Sequence, residues 1–338
     1  MFLMDHLVTK WLESKRLKVQ PQRCIRTRNR FSSCHNCANL CPVSAISLEN
    51  GLTIQEDVCT ECMRCTVDCP TEAFYDEKYI EFFKEMSNRE VISFSCENDN
   101  REEPHIKLGC LFQLDKALLL HASLNSNKVT IQYSIDKCMK CNKYDESLES
   151  TIRQTIAQLN SMLKKPIDIY YNEKASSKME RNYTRRELIT FFSKKMTRNV
   201  VSPLISEEEE RNLREFLKSG AMRDAYQYLL IKHQGLFIQR QQMKNLNTLQ
   251  LVLDNKCDGC RVCERVCPTG ALKFSEEDPN IIGMFSTQLC NGCKSCIDIC
   301  RKNALEMDNT SYIDLHVFLN EKEKVVFTKE LKQLGEPY

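Results

Sequence analysis

The stretch CTECMRCTVDCP at residues 59–70 crowds four cysteines together and ends in proline, and CDGCRVCERVCP returns the same spelling at residues 257–268. No other feature restricts the fold as strongly, because so many thiols in so little chain must be bonded to one another or to something they share. Twenty cysteines occur in the 338 residues, gathered in tight groups rather than spread over loops as disulfide staples would be. An apolar content of 42% is enough for the cores of about two domains. The opening MFLMDHLVTKWLESKRLK breaks its apolar stretch with Asp5 and His6 and has no small-residue cleavage site, and no apolar run is long enough to span a bilayer. These features predict a soluble, cytoplasmic chain whose thiols stay reduced.

The cysteines organise the chain as a repeat. Cys34, Cys37 and Cys41 correspond to Cys260, Cys263 and Cys267, and Cys59, Cys62, Cys65 and Cys69 correspond to Cys290, Cys293, Cys296 and Cys300, with a short insertion in the second copy. Each terminal cysteine opens a related tail: CPVSAI at 41, CPTEAF at 69, CPTGAL at 267 and CRKNAL at 300. The apolar stretches LTI (52–54), TLQLVL (248–253) and ALKF (271–274) read as short strands carrying the cysteine loops.

Between the copies the pattern changes. VISFSC (91–96), VTIQY (129–133) and PIDIYY (166–171) read as strands, and LFQLDKALLLHASL (111–124) as a helix. Leu148, Ile152, Ile156, Leu159 and Leu163 fall at helical spacing. The resulting βαβαβ order predicts a parallel sheet. Residues 175–248 are polar and charged, with capping-box spellings at Thr184–Glu187 and Ser206–Glu209, and read as a helical connector.

Three cysteines at i, i+3 and i+6 let one loop wrap a corner of a compact cluster while a fourth ligand arrives from elsewhere, and the run C-x2-C-x2-C-x3-C-P is the bacterial two-cluster spelling. Zinc sites usually use two separated pairs instead. On these residues, segments 20–80 and 250–310 resemble two bacterial-type dicluster 4Fe-4S ferredoxin domains, as found in iron-sulfur electron-transfer subunits of oxidoreductase complexes. The resemblance implies four 4Fe-4S clusters. One set would be Cys257, Cys260, Cys263 and Cys300, and another Cys290, Cys293, Cys296 and Cys267; Arg301 stands where proline is usual. In the first copy Phe31 occupies the place of the first cysteine, and Cys24 is the spare thiol nearby. The sets there become Cys24, Cys34, Cys37 and Cys69, and Cys59, Cys62, Cys65 and Cys41.

Four cysteines remain: Cys96, Cys110, Cys138 and Cys141. In the βαβαβ arrangement all four fall at the carboxyl edge of the parallel sheet, where such folds place ligands. A helix N-terminus beside Cys110 would favour its thiolate. The spacing resembles that of small iron-sulfur adaptor subunits linking hydrogenases to heterodisulfide reductase, and more distantly the thioredoxin-like 2Fe-2S ferredoxins. The alternatives for this site are a fifth iron-sulfur cluster (2Fe-2S or 4Fe-4S), structural zinc, or a redox dithiol of Cys138 and Cys141.

No glycine-rich nucleotide loop, H-E-x-x-H, C-x-x-C-H or C-x3-C-x2-C spelling occurs, so chemistry on a substrate has no visible home. The six histidines are isolated, and the basic residues of the first thirty positions read as a solvated helix and arm. The expected fold class is α+β: two ferredoxin-like dicluster domains (21–80 and 249–312) flanking a small α/β parallel-sheet domain with four cysteines (88–172). A basic N-terminal helix (1–20), the helical connector (175–248) and a C-terminal tail (313–338) complete the chain. The expected role is relay of single electrons between a catalytic oxidoreductase subunit and a redox donor or acceptor protein, without nucleic acid or a transmembrane segment. The competing expectation is a heterodisulfide-type reductase that uses Cys138 and Cys141.

Overall fold

The computed structural model describes residues 16–87, 89–99, 106–166, 169–172, 226–242, 250–254, 256–320 and 323–330. The first cysteine-rich stretch is framed by two small antiparallel pairs. Strand β1 (Leu17–Val19) is an N-terminal partner for β4 (Phe74–Asp76), while β2 (Ile46–Ser47) pairs with β3 (Thr53–Ile54). Residues 17–19 therefore correct the helix expected over 1–20: Leu17 and Val19 lie opposite Asp76 and Phe74, so this stretch completes a sheet instead of forming a helical arm. Residues 1–15 lie outside the described residues. Two one-turn helices, Asn36–Leu40 and Arg64–Asp68, pack together and each leads into a terminal cysteine.

The middle of the chain forms an all-parallel sheet of β5 (Val91–Cys96), β6 (Ile106–Leu108), β7 (Lys128–Gln132) and β8 (Ile169–Asn172), in the order β6-β5-β7-β8. The edge strand β6 is additional to the expected pattern. Helix Leu148–Met162 buries Leu148, Ile152, Ile156 and Leu159 as their spacing predicts; Met162 completes the stripe, while Leu163 is buried just past the helix end. Helix Lys116–Asn125 starts later than expected, because Leu111–Gln113 form a 3-10 turn and Asp115 provides the cap, accepting from the Leu118 N–H at 2.8 Å. It is buried over consecutive residues from Lys116 to Ala122, which is why it shows no amphipathic period.

That cap has a pH consequence. Asp115 also accepts a 2.6 Å hydrogen bond from the Tyr79 hydroxyl, yet burial raises its carboxyl from 3.8 to about 6. An acid whose pKa is higher in the fold than in the unfolded chain favours folding at low pH, and that contribution is lost as pH rises through the folded value. Asp115→Asn keeps an acceptor for Leu118 without the charge. Between pH 5 and 7 the wild-type chain is expected to lose roughly 1 kcal/mol more stability than Asp115→Asn, as read by urea unfolding at the two pH values.

The two regions are joined through Arg16. Its guanidinium donates to both carboxylate oxygens of Asp76 (2.7 and 2.5 Å), to Glu97 (2.5 Å) and to the side-chain oxygen of Gln113 (3.2 Å), over the ring of Phe82.

In the second cysteine-rich stretch, β10 (Gln250–Leu253) pairs with β13 (Leu305–Asp308), and β11 (Leu272–Glu277) with β12 (Asn280–Phe285). The β11–β12 hairpin is the longer counterpart of β2–β3, so the insertion recognised in the second copy lengthens a hairpin and leaves the cysteine loops alone. The end of the chain is not a detached tail as far as it is described. Helix Leu315–Asn320 follows β14 (Tyr312–Asp314), which pairs with β9 (Arg240–Gln242), and β15 (Lys324–Glu330) adds to β12. Within the expected connector, residues 226–232 are helical; its two capping-box spellings lie outside the described residues.

Candidate functional site

The four related tails share one backbone device. Three residues after each terminal cysteine the chain takes a left-handed conformation, at Ser44 (φ 52°), Glu72 (φ 50°), Gly270 (φ 64°) and Asn303 (φ 49°). This turn brings the next amide back to the sulfur. Ala45, Ala73 and Ala271 each donate N–H to the Sγ of Cys41, Cys69 and Cys267 at 3.2 Å, and Ala304 to Cys300 at 3.4 Å. All four alanines are buried, so a small side chain is required where the amide must approach. Hydrogen bonds of this kind stabilise negative charge on sulfur.

The loops before the tails also repeat. Glu61 and Met63, Gly259 and Arg261, and Gly292 and Lys294 are paired left-handed residues within three of the four cysteine loops. Glu61, Met63, Glu72, Arg261 and Lys294 hold this conformation with large side chains, at a cost of roughly 1–2 kcal/mol each. Such conformations turn successive N–H groups toward one concavity, an arrangement that receives anions and cluster sulfurs. The fourth loop departs: no residue from Phe31 to Cys37 has positive φ, and Phe31 is exposed with the Arg30 guanidinium 4.8 Å from its ring centroid. Cys24, by contrast, is buried at the end of the Pro21–Arg23 turn, packed in one group with Cys37, Cys65 and Cys69.

The thiols gather in four places. Burial pushes Cys37 up to about 12, assisted by Cys69, Cys34 and Cys24. Burial likewise raises Cys65, with Cys62, Cys59, Cys37 and Cys41 adding to it, and raises Cys62 beside Cys41 and Cys59. Cys263 is pushed up to about 12 by burial and then by Cys257 and Cys260, while Cys257 also feels Cys300. Cys293 reaches about 12 through burial, with Cys267, Cys290 and Cys34 contributing, and burial raises Cys296 beside Cys290, Cys293 and Cys267. Sulfurs that repel one another so strongly when ionised suit a cationic iron core, which reverses the penalty. Buried thiols grouped with half-buried ones whose sulfurs accept backbone N–H groups are a donor set that fits an iron-sulfur cluster.

The remaining four cysteines also come together. Cys96 ends β5, Cys110 follows β6, and Cys138 and Cys141 follow β7, so all lie at the carboxyl edge of the sheet and line one cavity of about 70 Å³. Tyr133, Leu111 and Leu148 contribute to its apolar wall, and the Asn98 amide donates to the Cys141 sulfur at 3.6 Å. Among the described residues no three His, Cys, Asp or Glu side chains are grouped to hold a single ion. The expectation for Cys110 is corrected: the helix begins at Lys116, and burial pushes this thiol up to about 11. Cys138 is raised too, by burial and by Cys96 and Cys141, the opposite of an activated thiol.

Two residues beside this site carried no signal in the sequence. Arg64 is buried with its guanidinium 3.5 Å from the Phe112 ring centroid, donates to Asp145 at 3.4 Å and Ser147 at 3.3 Å, and places positive charge beside Cys62. Gly109 lets the 59–65 loop approach the sheet edge. A Cβ there would lie 2.5 Å from the Glu61 carbonyl oxygen and 2.9 Å from Met63 Cγ. Gly109→Ala is expected to cost about 1–3 kcal/mol, seen as a lower unfolding midpoint, because backbone on the facing side must move.

Residues 256–304 match the family of 4Fe-4S dicluster domains, and residues 56–75 match the 4Fe-4S binding domain family. No curated protein and no solved structure matches the chain. The chain thus carries ferredoxin-type iron-sulfur domains within an α+β fold of small sheets. Among the described residues, no helix is long and apolar enough to cross a membrane.

Proposed function

We propose that this chain relays single electrons, as a non-catalytic subunit of an oxidoreductase complex. Two dicluster ferredoxin domains (21–80 and 249–312) would flank the sheet domain (88–172), holding four 4Fe-4S clusters on the sixteen cysteines grouped as described. The observation that carries this reading is the fourfold N–H to sulfur contact at Ala45, Ala73, Ala271 and Ala304, each set by a left-handed residue one position earlier. A clamp that steadies ionised sulfur four times over suits one-electron chemistry, in which the protein sets potential through burial, charge and hydrogen bonds to sulfur. Cys96, Cys110, Cys138 and Cys141 would hold a fifth iron-sulfur group in the cavity at the sheet edge.

Redox titration tests the function. Stepwise reduction with a low-potential donor is expected to be reversible and to proceed in one-electron steps; a chain whose absorbance does not respond contradicts it. The fifth group has its own check. Cys110→Ala is expected to lower bound iron by about 2 or 4 atoms per chain while the other clusters stay. Unchanged iron with lost zinc, or with no metal lost, assigns the cavity elsewhere.

A further inference from the structure

We infer that the five cysteine sites form one unbranched path, with the sheet-edge site at one end and the Cys257/Cys260/Cys263/Cys300 site at the other. The inference rests on the proposed relay and adds the sequence in which its sites meet. Four junctions fix that sequence.

The first joins the sheet-edge site to the Cys41/Cys59/Cys62/Cys65 site. Cys62 is buried in the same packing group as Cys110, and Gly109 admits the backbone of Glu61 directly against the strand end that carries Cys110. The second lies within the first cysteine-rich stretch, where Cys65 packs with Cys24, Cys37 and Cys69. The third links the two copies. Asn29, 3% exposed, donates through its side-chain amide to the Ser295 hydroxyl (2.9 Å) and carbonyl (3.2 Å). The Ser33 N–H donates to Asp298 at 2.8 Å, and its hydroxyl reaches the same carboxylate at 3.0 Å. Ser33 adjoins Cys34, while Ser295 and Asp298 flank Cys296 in helix Ser295–Ile299. The Cys24/Cys34/Cys37/Cys69 site thus faces the Cys267/Cys290/Cys293/Cys296 site across a hydrogen-bonded seam. In the second copy Cys263, Cys267, Cys290, Cys296 and Cys300 share one packing group, which leads to the last site. There Cys260 is exposed, as a terminus open to a partner would be.

Each hop moves one electron and no proton: one site is oxidised by one electron as its neighbour is reduced by one. A one-electron donor protein serves one end and a one-electron acceptor protein the other. Reduced neighbouring sites couple magnetically and reduced distant ones do not, which makes the order testable. The variants are built on Cys110→Ala, which empties the sheet-edge site. On that background, Cys59→Ala with Cys257→Ala removes the second and fifth sites and leaves the two that face each other across the seam. After reduction with dithionite, these are expected to give a split, interacting EPR signal. Cys24→Ala with Cys290→Ala leaves the second and fifth sites, expected to give separate, uncoupled signals. Cys41→Ala with Cys300→Ala, and Cys69→Ala with Cys267→Ala, remove the same pairs from other loops and replace any variant that fails to accumulate. Uncoupled signals from the seam pair, or coupling between the second and fifth sites, overturns the order. Iron that does not fall by about half from the Cys110→Ala parent overturns the ligand sets instead, so the two failures are distinguishable.

Discussion

Arg16→Ala is expected to destabilise the protein by about 3–5 kcal/mol, among the largest effects of any residue that is not a cysteine. The Asp76 side chain is only 1% exposed, and its carboxylate would lose both guanidinium hydrogen bonds, keeping those from Gln113 and the Lys78 N–H. Burial alone would lower the Arg16 pKa, but Asp76 and then Glu97 more than offset it, so the guanidinium is held charged where it is. The loss comes from stranding a charge rather than from the net worth of the pair. Removing both charges in Arg16→Met with Asp76→Leu should therefore recover much of the stability. Urea unfolding of the anaerobically purified protein reads both. A single substitution costing under about 1 kcal/mol, or a double variant worse than the single, contradicts this account.

Cys24→Ser is expected to remove one cluster, about four iron atoms per chain, and to abolish one EPR signal while sparing its neighbour's. In the proposed sets Cys24 is the ligand the repeat does not predict, since it lies outside the loop where the other copies keep their first cysteine. Adding Phe31→Cys to that variant is not expected to restore the site. Phe31 is 54% exposed, and its loop lacks the left-handed residues that shape the other three. Full iron in Cys24→Ser would remove Cys24 from the ligand set, and rescue of the cluster when Phe31→Cys is added would show that the ordinary position can still supply the ligand.

Much of this architecture is written in local pattern. The continuous apolar strands of the central sheet and the stripe from Leu148 to Leu159 are set by nearby residues, so they are readable. The four tails were visible as related spelling, but the reason for their alanines was not, because it is a backbone amide meeting a sulfur four residues away. Left-handed turns are betrayed by Gly259, Gly270 and Gly292, yet Glu61, Met63, Arg261 and Lys294 adopt the same conformation with side chains that disfavour it. Only the repeat, laid over itself, exposes them. Strand β6 is three residues long, too short for any period to register. Arg16 stood among the basic residues of a stretch that read as solvated, and its partners Asp76, Glu97 and Gln113 are distant in the chain, which no local pattern reports. The same holds for Asn29 and Ser295, whose hydrogen bond joins the two copies.

The proposed grouping of sixteen thiols into four sets has one decisive check, which is what those sets hold. Iron, zinc and acid-labile sulfide measured on protein purified without air are expected to give about 16 iron and as many sulfides per chain, rising to about 18 or 20 iron with a fifth cluster, in a brown solution. A colourless protein carrying zinc, or no metal, contradicts it.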